Sequence, residues 1–312
     1  MINPVFSVVI PLFNKEKHIH RAIDSVLNQI FIDFEIIVID DGSTDNSGDL
    51  VKNYNDSRIK FIRQNNQGVS AARNKGIDKS SGQYIAFIDA DDEWTEEHLR
   101  DCHEMITIYP DSGIYATAYK IIEVDGSEKK LWNIEDNKKS IYKIDYFKES
   151  YRGVRLPFFT SSVCIPKNIF EELGTFALGQ PRGEDLDMWG RIALYKMVVF
   201  SENVTVTYYK DAQNRSTEKT DIEELPFVNT YRKLQYKDKK LSENIYIMEF
   251  VAMQQFNQTK IYLFSGQSKK SRQVLYDTKT ILQKKKWFTL FILTWIPYYL
   301  LMKLSYIKRK VF

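Results

Sequence analysis

Residues 5–12, Val-Phe-Ser-Val-Val-Ile-Pro-Leu, form a β-branched apolar run closed by Pro11, which reads as a buried strand. Ile19, Ala22, Ile23, Val26 and Leu27 then fall at i, i+3, i+4, i+7 and i+8, a single apolar stripe that predicts a helix. A second continuous apolar strand, Phe34–Ile39, ends in Asp40-Asp41-Gly42-Ser43-Thr44-Asp45, where Gly42 supplies a turn and Ser43 or Thr44 can cap the next helix. The rhythm repeats as strand 58–62, helix 69–79, strand 83–89, helix 95–108 and strand 113–119, with Asp92 or Thr95 able to cap the helix at 95. Nearly continuous apolar strands separated by helices predict an α/β fold, a largely parallel sheet covered on both faces.

Ligands of such sheets collect beyond the carboxyl ends of the strands. Two strands here end in acid pairs, Asp40-Asp41 and Asp91-Asp92, which are expected to meet at one crevice. Residues 120–160 are polar and irregular, expected as hairpins and a loop over that crevice. From 161 the pattern predicts a strand to 166, a helix over 167–173 stopped at Gly174, a helix over 184–196, and two closing strands at 198–200 and 204–209. Beyond Pro226 the character turns helical, with helices expected over 241–264, 268–286 and 287–312, the last broken at Pro297. The expected division is a domain over 1–215, its halves meeting near 110, followed by a helical extension over 216–312.

Charge sharpens that division. Residues 265–312 hold 11 Lys/Arg and one acid, Asp277, against 33 basic and 40 acidic residues before them, so a body near −7 carries a tail near +10. The stretch from Trp287 to Met302 is apolar and aromatic, lies between Lys284-Lys285-Lys286 and Lys303 with Lys308-Arg309-Lys310, and falls short of the about 20 residues a spanning helix needs. Residues 285–312 are therefore expected to lie on an anionic membrane surface, with no nucleic-acid role because the core of the tail is apolar. No secretion signal is visible at the N-terminus. Cys102 and Cys164 have no paired spacing and are expected as buried thiols of a cytosolic protein, and none of the four histidines has a partner at zinc-ligand spacing.

Acids crowded at Asp89, Asp91 and Asp92 repel one another unless a cation joins them, and hard divalent ions take carboxylate and phosphate oxygens. In order along the chain stand Val-Val-Ile-Pro-Leu-Phe-Asn, Glu-Ile-Ile-Val-Ile-Asp-Asp-Gly-Ser-Thr-Asp, Asn66-Gln67-Gly68-Val69-Ser70-Ala71-Ala72-Arg73-Asn74-Lys75-Gly76 and Phe-Ile-Asp-Ala-Asp-Asp. This series resembles the family 2 glycosyltransferases of GT-A fold over residues 5–210. The resemblance implies metal-dependent, inverting transfer of a sugar from a nucleoside-diphosphate donor, UDP-sugars being commonest. It implies that Pro11, Phe13 and Asn14 line the nucleotide pocket, that Asp41 accepts from the base, and that Arg73 lies near the nucleotide. Asp89-Ala90-Asp91 corresponds to the family's DXD motif, with Asp91 and then Asp92 as ligands of Mn²⁺ or Mg²⁺.

The transfer also requires a base for the acceptor hydroxyl. Gly183-Glu184-Asp185-Leu186-Asp187-Met188-Trp189 resembles the family's acidic pair before an aromatic helix, making Asp185 the expected base and Glu184 its reserve. The Gln-x-x-Arg-Trp motif and long spans of processive synthases are missing from the sequence, which favours one sugar per encounter. The expected acceptor is a glycan or a lipid-linked glycan at the inner face of the cell membrane, in polysaccharide or lipopolysaccharide synthesis; homodimerisation stays open. A membrane-docked, non-catalytic nucleotide-sugar binder is the alternative. A nucleotidyltransferase is disfavoured because Pro11-Leu12-Phe13-Asn14 is no glycine-rich phosphate loop.

Overall fold

The computed structural model describes residues 3–130, 140–152, 156–180, 182–211, 225–235, 241 and 243–303. Strands β1 (Phe6–Leu12), β2 (Phe34–Asp40), β3 (Ile59–Arg63) and β4 (Tyr84–Phe87) alternate with helices α1 (Ile19–Leu27), α2 (Ser47–Lys52) and α3 (Val69–Lys79). All four strands are parallel, in spatial order β3-β2-β1-β4, so their carboxyl ends share one edge. β1 and β2 are buried almost throughout, which is why their sequences lack a polar alternation.

The sheet continues through β9 (Val163–Pro166), β6 (Ile114–Ile122) and β10 (Val198–Tyr209) and ends on the short β5 (Glu93–Trp94). β9 runs antiparallel to both β4 and β6, and β5 is antiparallel to β10, so the sheet is mixed rather than parallel throughout. The two closing strands expected at 198–200 and 204–209 are one strand, with register shifts between Ser201 and Val206. Such irregularities locally bend a strand without ending it. The polar stretch 120–160 holds a hairpin, β6 to β7 (Glu128–Lys130), together with β8 (Ile141–Ile144) on β10 and α5 (Tyr146–Arg152); residues 131–139 and 153–155 lie outside the described ones.

Both expected caps give way to tertiary contacts. α2 starts at Ser47, whose amide is taken by Asp45, so Ser43 and Thr44 cap nothing. α4 (His98–Ile108) starts three residues later than its apolar pattern suggests, because Glu93 and Trp94 are drawn into the sheet and the Thr95 amide donates to the Thr205 carbonyl.

One side of the sheet packs on α1 and α4 through residues such as Ile23, Val26, Leu99 and Met105. The other packs on α6 (Lys167–Leu173), α7 (Glu184–Tyr195), α8 (Pro226–Gln235) and the start of α9 (Ile245–Phe264). There Tyr146, Phe147, Phe158, Phe227 and Phe250 form an aromatic cluster with centroids 5.1–5.9 Å apart. α10 (Ser268–Asp277) and α11 (Lys284–Leu293) build a smaller core with α9 around Ala252, Phe256, Leu275 and Leu290. The single helix expected over 268–286 is broken at 278–283. Buried Glu249 on α9 accepts from the Ile281 and Leu282 amides, Thr280 and Gln283, which fixes a turn where local propensity would continue a helix. The third helix thus begins at Lys284, before residue 287, and closes at Leu293, ahead of Pro297.

Candidate active site at the carboxyl edge of the sheet

The loops after β1 and β2 are sewn together. Asn14 adopts a left-handed backbone (φ 52°), rare outside glycine but tolerated by asparagine. Its amide donates to Ser43 Oγ at 3.1 Å and its Oδ1 accepts from the Thr44 amide at 2.8 Å. Asp40 is fully buried, accepts from the Ser43 amide and lies 3.4 Å from Arg63. Asp41 accepts from Gln64 Nε2 and from the amides of Gln67 and Gly68, all within 2.8–2.9 Å. Gly68, at φ 89°, makes the turn that delivers its amide before α3 begins. Pro11 lies partly buried on β1 and Phe13 stands exposed beyond its end.

The acids after β4 divide into three environments. Asp89 accepts from Arg73 Nη2 at 2.8 Å. Asp91 is paired with Lys15 Nζ at 2.7 Å, and its backbone carbonyl accepts from Arg21, whose guanidinium stacks 3.6 Å over the Tyr209 ring. Asp92 is turned inward, with Ser161 Oγ donating to it at 2.5 Å. Burial, then the neighbouring Asp91 and Asp89, hold the Asp92 carboxyl well above its ordinary range. The two acid pairs therefore do not meet as four crevice carboxylates: Asp40, Asp41 and Asp92 are buried and committed within the protein. Ala90 is buried between Asp89 and Asp91.

Across the crevice, α7 brings Glu184 and Asp185. Arg73, on α3 and almost fully buried, reaches both sides: Nη1 donates to Glu184 Oε1 at 2.9 Å while Nη2 holds Asp89. Phe176 lies under its guanidinium at 5.4 Å, and neighbouring Asn74 exchanges two 2.9 Å hydrogen bonds with the Phe176 backbone. Arg73 is therefore a buried bridge, not a surface ion pair. Asp185 is left partly exposed, bonded only to the Leu186 amide among the described contacts. Burial and then Glu184 push its carboxyl up to about 7, against the pull of Arg73.

Sequence reasoning missed Lys15, Arg21, Ser161 and Tyr209. Ser161 accepts from the Asp89 amide at 3.0 Å and bonds Asp92, and its carbonyl accepts from Trp94 Nε1. One hydroxyl within Thr160-Ser161-Ser162 carries no signal that singles it out. Lys15 and Arg21 stand only as charges flanking a helix start.

Among the described residues, no three His, Cys, Asp or Glu side chains converge on a point that could hold a metal ion. Ions such as Mg²⁺ are commonly held by one or two carboxylates together with substrate phosphates. Asp91 fits that role best: its side chain keeps a little exposure, 12%, and already carries a cation, the Lys15 ammonium. Asp92 has no exposed oxygen to offer in this arrangement.

A mixed sheet with acids gathered at the ends of its parallel strands and a second acidic helix across the crevice is the architecture of GT-A-like glycosyltransferases. Residues 7–180 match the family described as Glycosyl transferase family 2, and the chain belongs to that family. It is 29% identical over 206 residues to glycosyltransferase GlyA of Streptococcus pneumoniae, which covers 65% of this chain and 26% of that protein. It is 45% identical over 91 residues to the uncharacterized glycosyltransferase EpsJ of Bacillus subtilis, covering 28% of this chain and 26% of that one. The chain thus spans about a quarter of the length of these relatives. In fold it is similar to S. aureus TarS residues 1–349 crystallised with UDP-GlcNAc, with a TM-score of 0.61 at 19% identity, over 91% of this chain and 79% of that one.

Proposed function

We propose that this protein transfers a single sugar from a nucleoside-diphosphate sugar, a UDP-sugar in the first instance, to a hydroxyl of a glycan or lipid-linked acceptor, with inversion at the anomeric carbon. The observation that carries the reading is Asp185, a carboxyl raised to about 7 beside Glu184, which Arg73 joins to Asp89 across the crevice. A base works best when its pKa lies near the operating pH. Family membership and the UDP-GlcNAc complex of the TarS neighbour support the donor class.

Asp185 takes the proton of the acceptor hydroxyl as its oxygen attacks the anomeric carbon. The bond to the diphosphate oxygen breaks on the opposite face, and the departing diphosphate keeps the electron pair. Glu184, neutralised by Arg73, positions the first turn of α7. Pro11, Phe13 and Asn14 border the nucleotide, with Asp41 holding the 64–68 turn beside it. Asp91 would hold Mn²⁺ or Mg²⁺, which when bound offsets the charge that grows on the diphosphate. The test is transfer and binding with a panel of nucleotide sugars: turnover with one nucleotide class supports the reading, while donor binding without turnover in any acceptor extract overturns it. Asp91→Asn should abolish metal-enhanced donor binding.

The extension supports contact with a membrane surface, and the setting we propose is the inner face, in surface-glycan synthesis. No described helix is long and apolar enough to cross one. Phe288, Trp295 and Tyr299 are 60%, 64% and 64% exposed in a segment that opens on exposed Lys284-Lys285; Lys308-Arg309-Lys310 of the expected tail lie outside the described residues. The full chain should sediment with vesicles containing anionic lipid. Replacing Phe288, Trp295 and Tyr299 by Ser should release it, and a wild type that stays in the supernatant overturns the placement.

A further inference from the structure

Lys15 is the residue whose position the proposed chemistry does not yet use. Its backbone amide is pinned to Ser47 Oγ at 2.8 Å, next to the left-handed turn at Asn14, so the side chain is delivered into the crevice from a fixed root. Its ammonium lies 2.7 Å from Asp91 Oδ2, with both side chains mostly buried. Arg21, on α1, donates to the Asp91 carbonyl. The carboxylate best placed for a divalent ion is thus already neutralised by a cation of the chain itself.

We propose that Lys15 is an exchangeable counter-cation of Asp91: it occupies the carboxylate while the site is empty and moves to the donor's diphosphate when a divalent ion takes Asp91. This rests on the reading of the crevice as a nucleotide-diphosphate site. An ammonium and a divalent ion cannot share one carboxylate cheaply, since like charges about 4 Å apart in a partly desolvated site repel by well above thermal energy. The diphosphate supplies the anion that makes the exchange favourable, because a lysine is a point-charge phosphate ligand on a flexible stem. Metal binding to the free protein is accordingly weak, and metal and nucleotide strengthen one another.

The experiment uses the full chain and two probes. Mn²⁺ alone is titrated by electron paramagnetic resonance, and UDP by calorimetry in saturating Mn²⁺, for the wild type, Lys15→Met, Lys15→Arg and Asp91→Asn. Lys15→Met should bind Mn²⁺ about tenfold more tightly and UDP about tenfold more weakly, an opposed pair of shifts set by the sign of the lost charge. Lys15→Arg should stay near the wild type, and Asp91→Asn should lose Mn²⁺. A merely structural role would weaken both ligands together. If Lys15→Met binds Mn²⁺ no more tightly than the wild type, whether it keeps or loses UDP, the exchange is wrong. If the wild type binds UDP with Mn²⁺ while Lys15→Met matches it, the exchange fails and the nucleotide reading survives. A wild type that binds neither probe, singly or together, overturns both.

Discussion

The two sides of the crevice carry the same kind of residue and give it different partners. After β4, Asp89 is taken by Arg73 and Asp91 keeps a cation of its own, Lys15. On α7, Glu184 is taken by the other arm of Arg73, and Asp185 is left with no dedicated cation. Asp91 is matched with a cation, whereas Asp185 has none and its carboxyl is pushed up to about 7. A single buried guanidinium pairs with one acid from each side, which leaves Asp91 to Lys15 and Asp185 without a cation of its own.

The comparison breaks most visibly at Asp185. Asp185→Asn should lower the rate of sugar transfer by about 10²–10⁴-fold while donor binding persists, read by single-turnover assay beside calorimetry; a change under tenfold would remove Asp185 from the chemistry. The wild-type rate should climb as pH rises through about 7, where the carboxyl loses its proton. Stability moves the other way. A carboxyl raised above its unfolded pKa favours the folded state while protonated, so this contribution is full below the unfolded value and fades as pH rises through about 7. Asp185→Asn should flatten that slope in urea titrations at a series of pH values.

Arg73→Met attacks the bridge. It leaves buried Glu184 without its cation and should cost about 3–5 kcal/mol in chemical denaturation. A loss near zero would mean that the two acidic edges are held together by packing alone.

The smallest expected effect sharpens the cation-holding edge. Ser161→Ala removes the hydroxyl that both accepts from the Asp89 amide and bonds Asp92, and should cost about 1–3 kcal/mol with a matching drop in Mn²⁺ affinity in the presence of UDP. Unchanged metal affinity would show that the backbone at 89–92 needs no such support.

Much of the fold was legible because period and burial agree. Helix 69–79 matches residue for residue, and β1, β2, α1 and α6 fall within a residue or two of their patterns, since each buries one apolar stripe or a continuous apolar run. The failures share a cause in distant partners. The break at 278–283 comes from Glu249, some thirty residues earlier in the chain, and the late start of α4 from the pairing of Glu93 with β10. At the site, the acids could be named from their order, but not their states. Asp41 and Asp91 read alike as strand-end aspartates; one is consumed by amides of the next turn and the other faces the crevice with Lys15.

By itself the sequence determined the alternation of buried strands and amphipathic helices, the acids at the strand ends and the basic aromatic extension, because these are patterns of local period and composition. Only the tertiary structure decided that Asp92 is an interior acid and Asp185 a carboxyl raised to about 7, that Arg73 joins the two edges, and that Lys15 neutralises Asp91. A carboxyl's charge state depends on its desolvation and on partners that stand up to 111 positions away in the chain, and neither quantity is written in the residue's immediate neighbours.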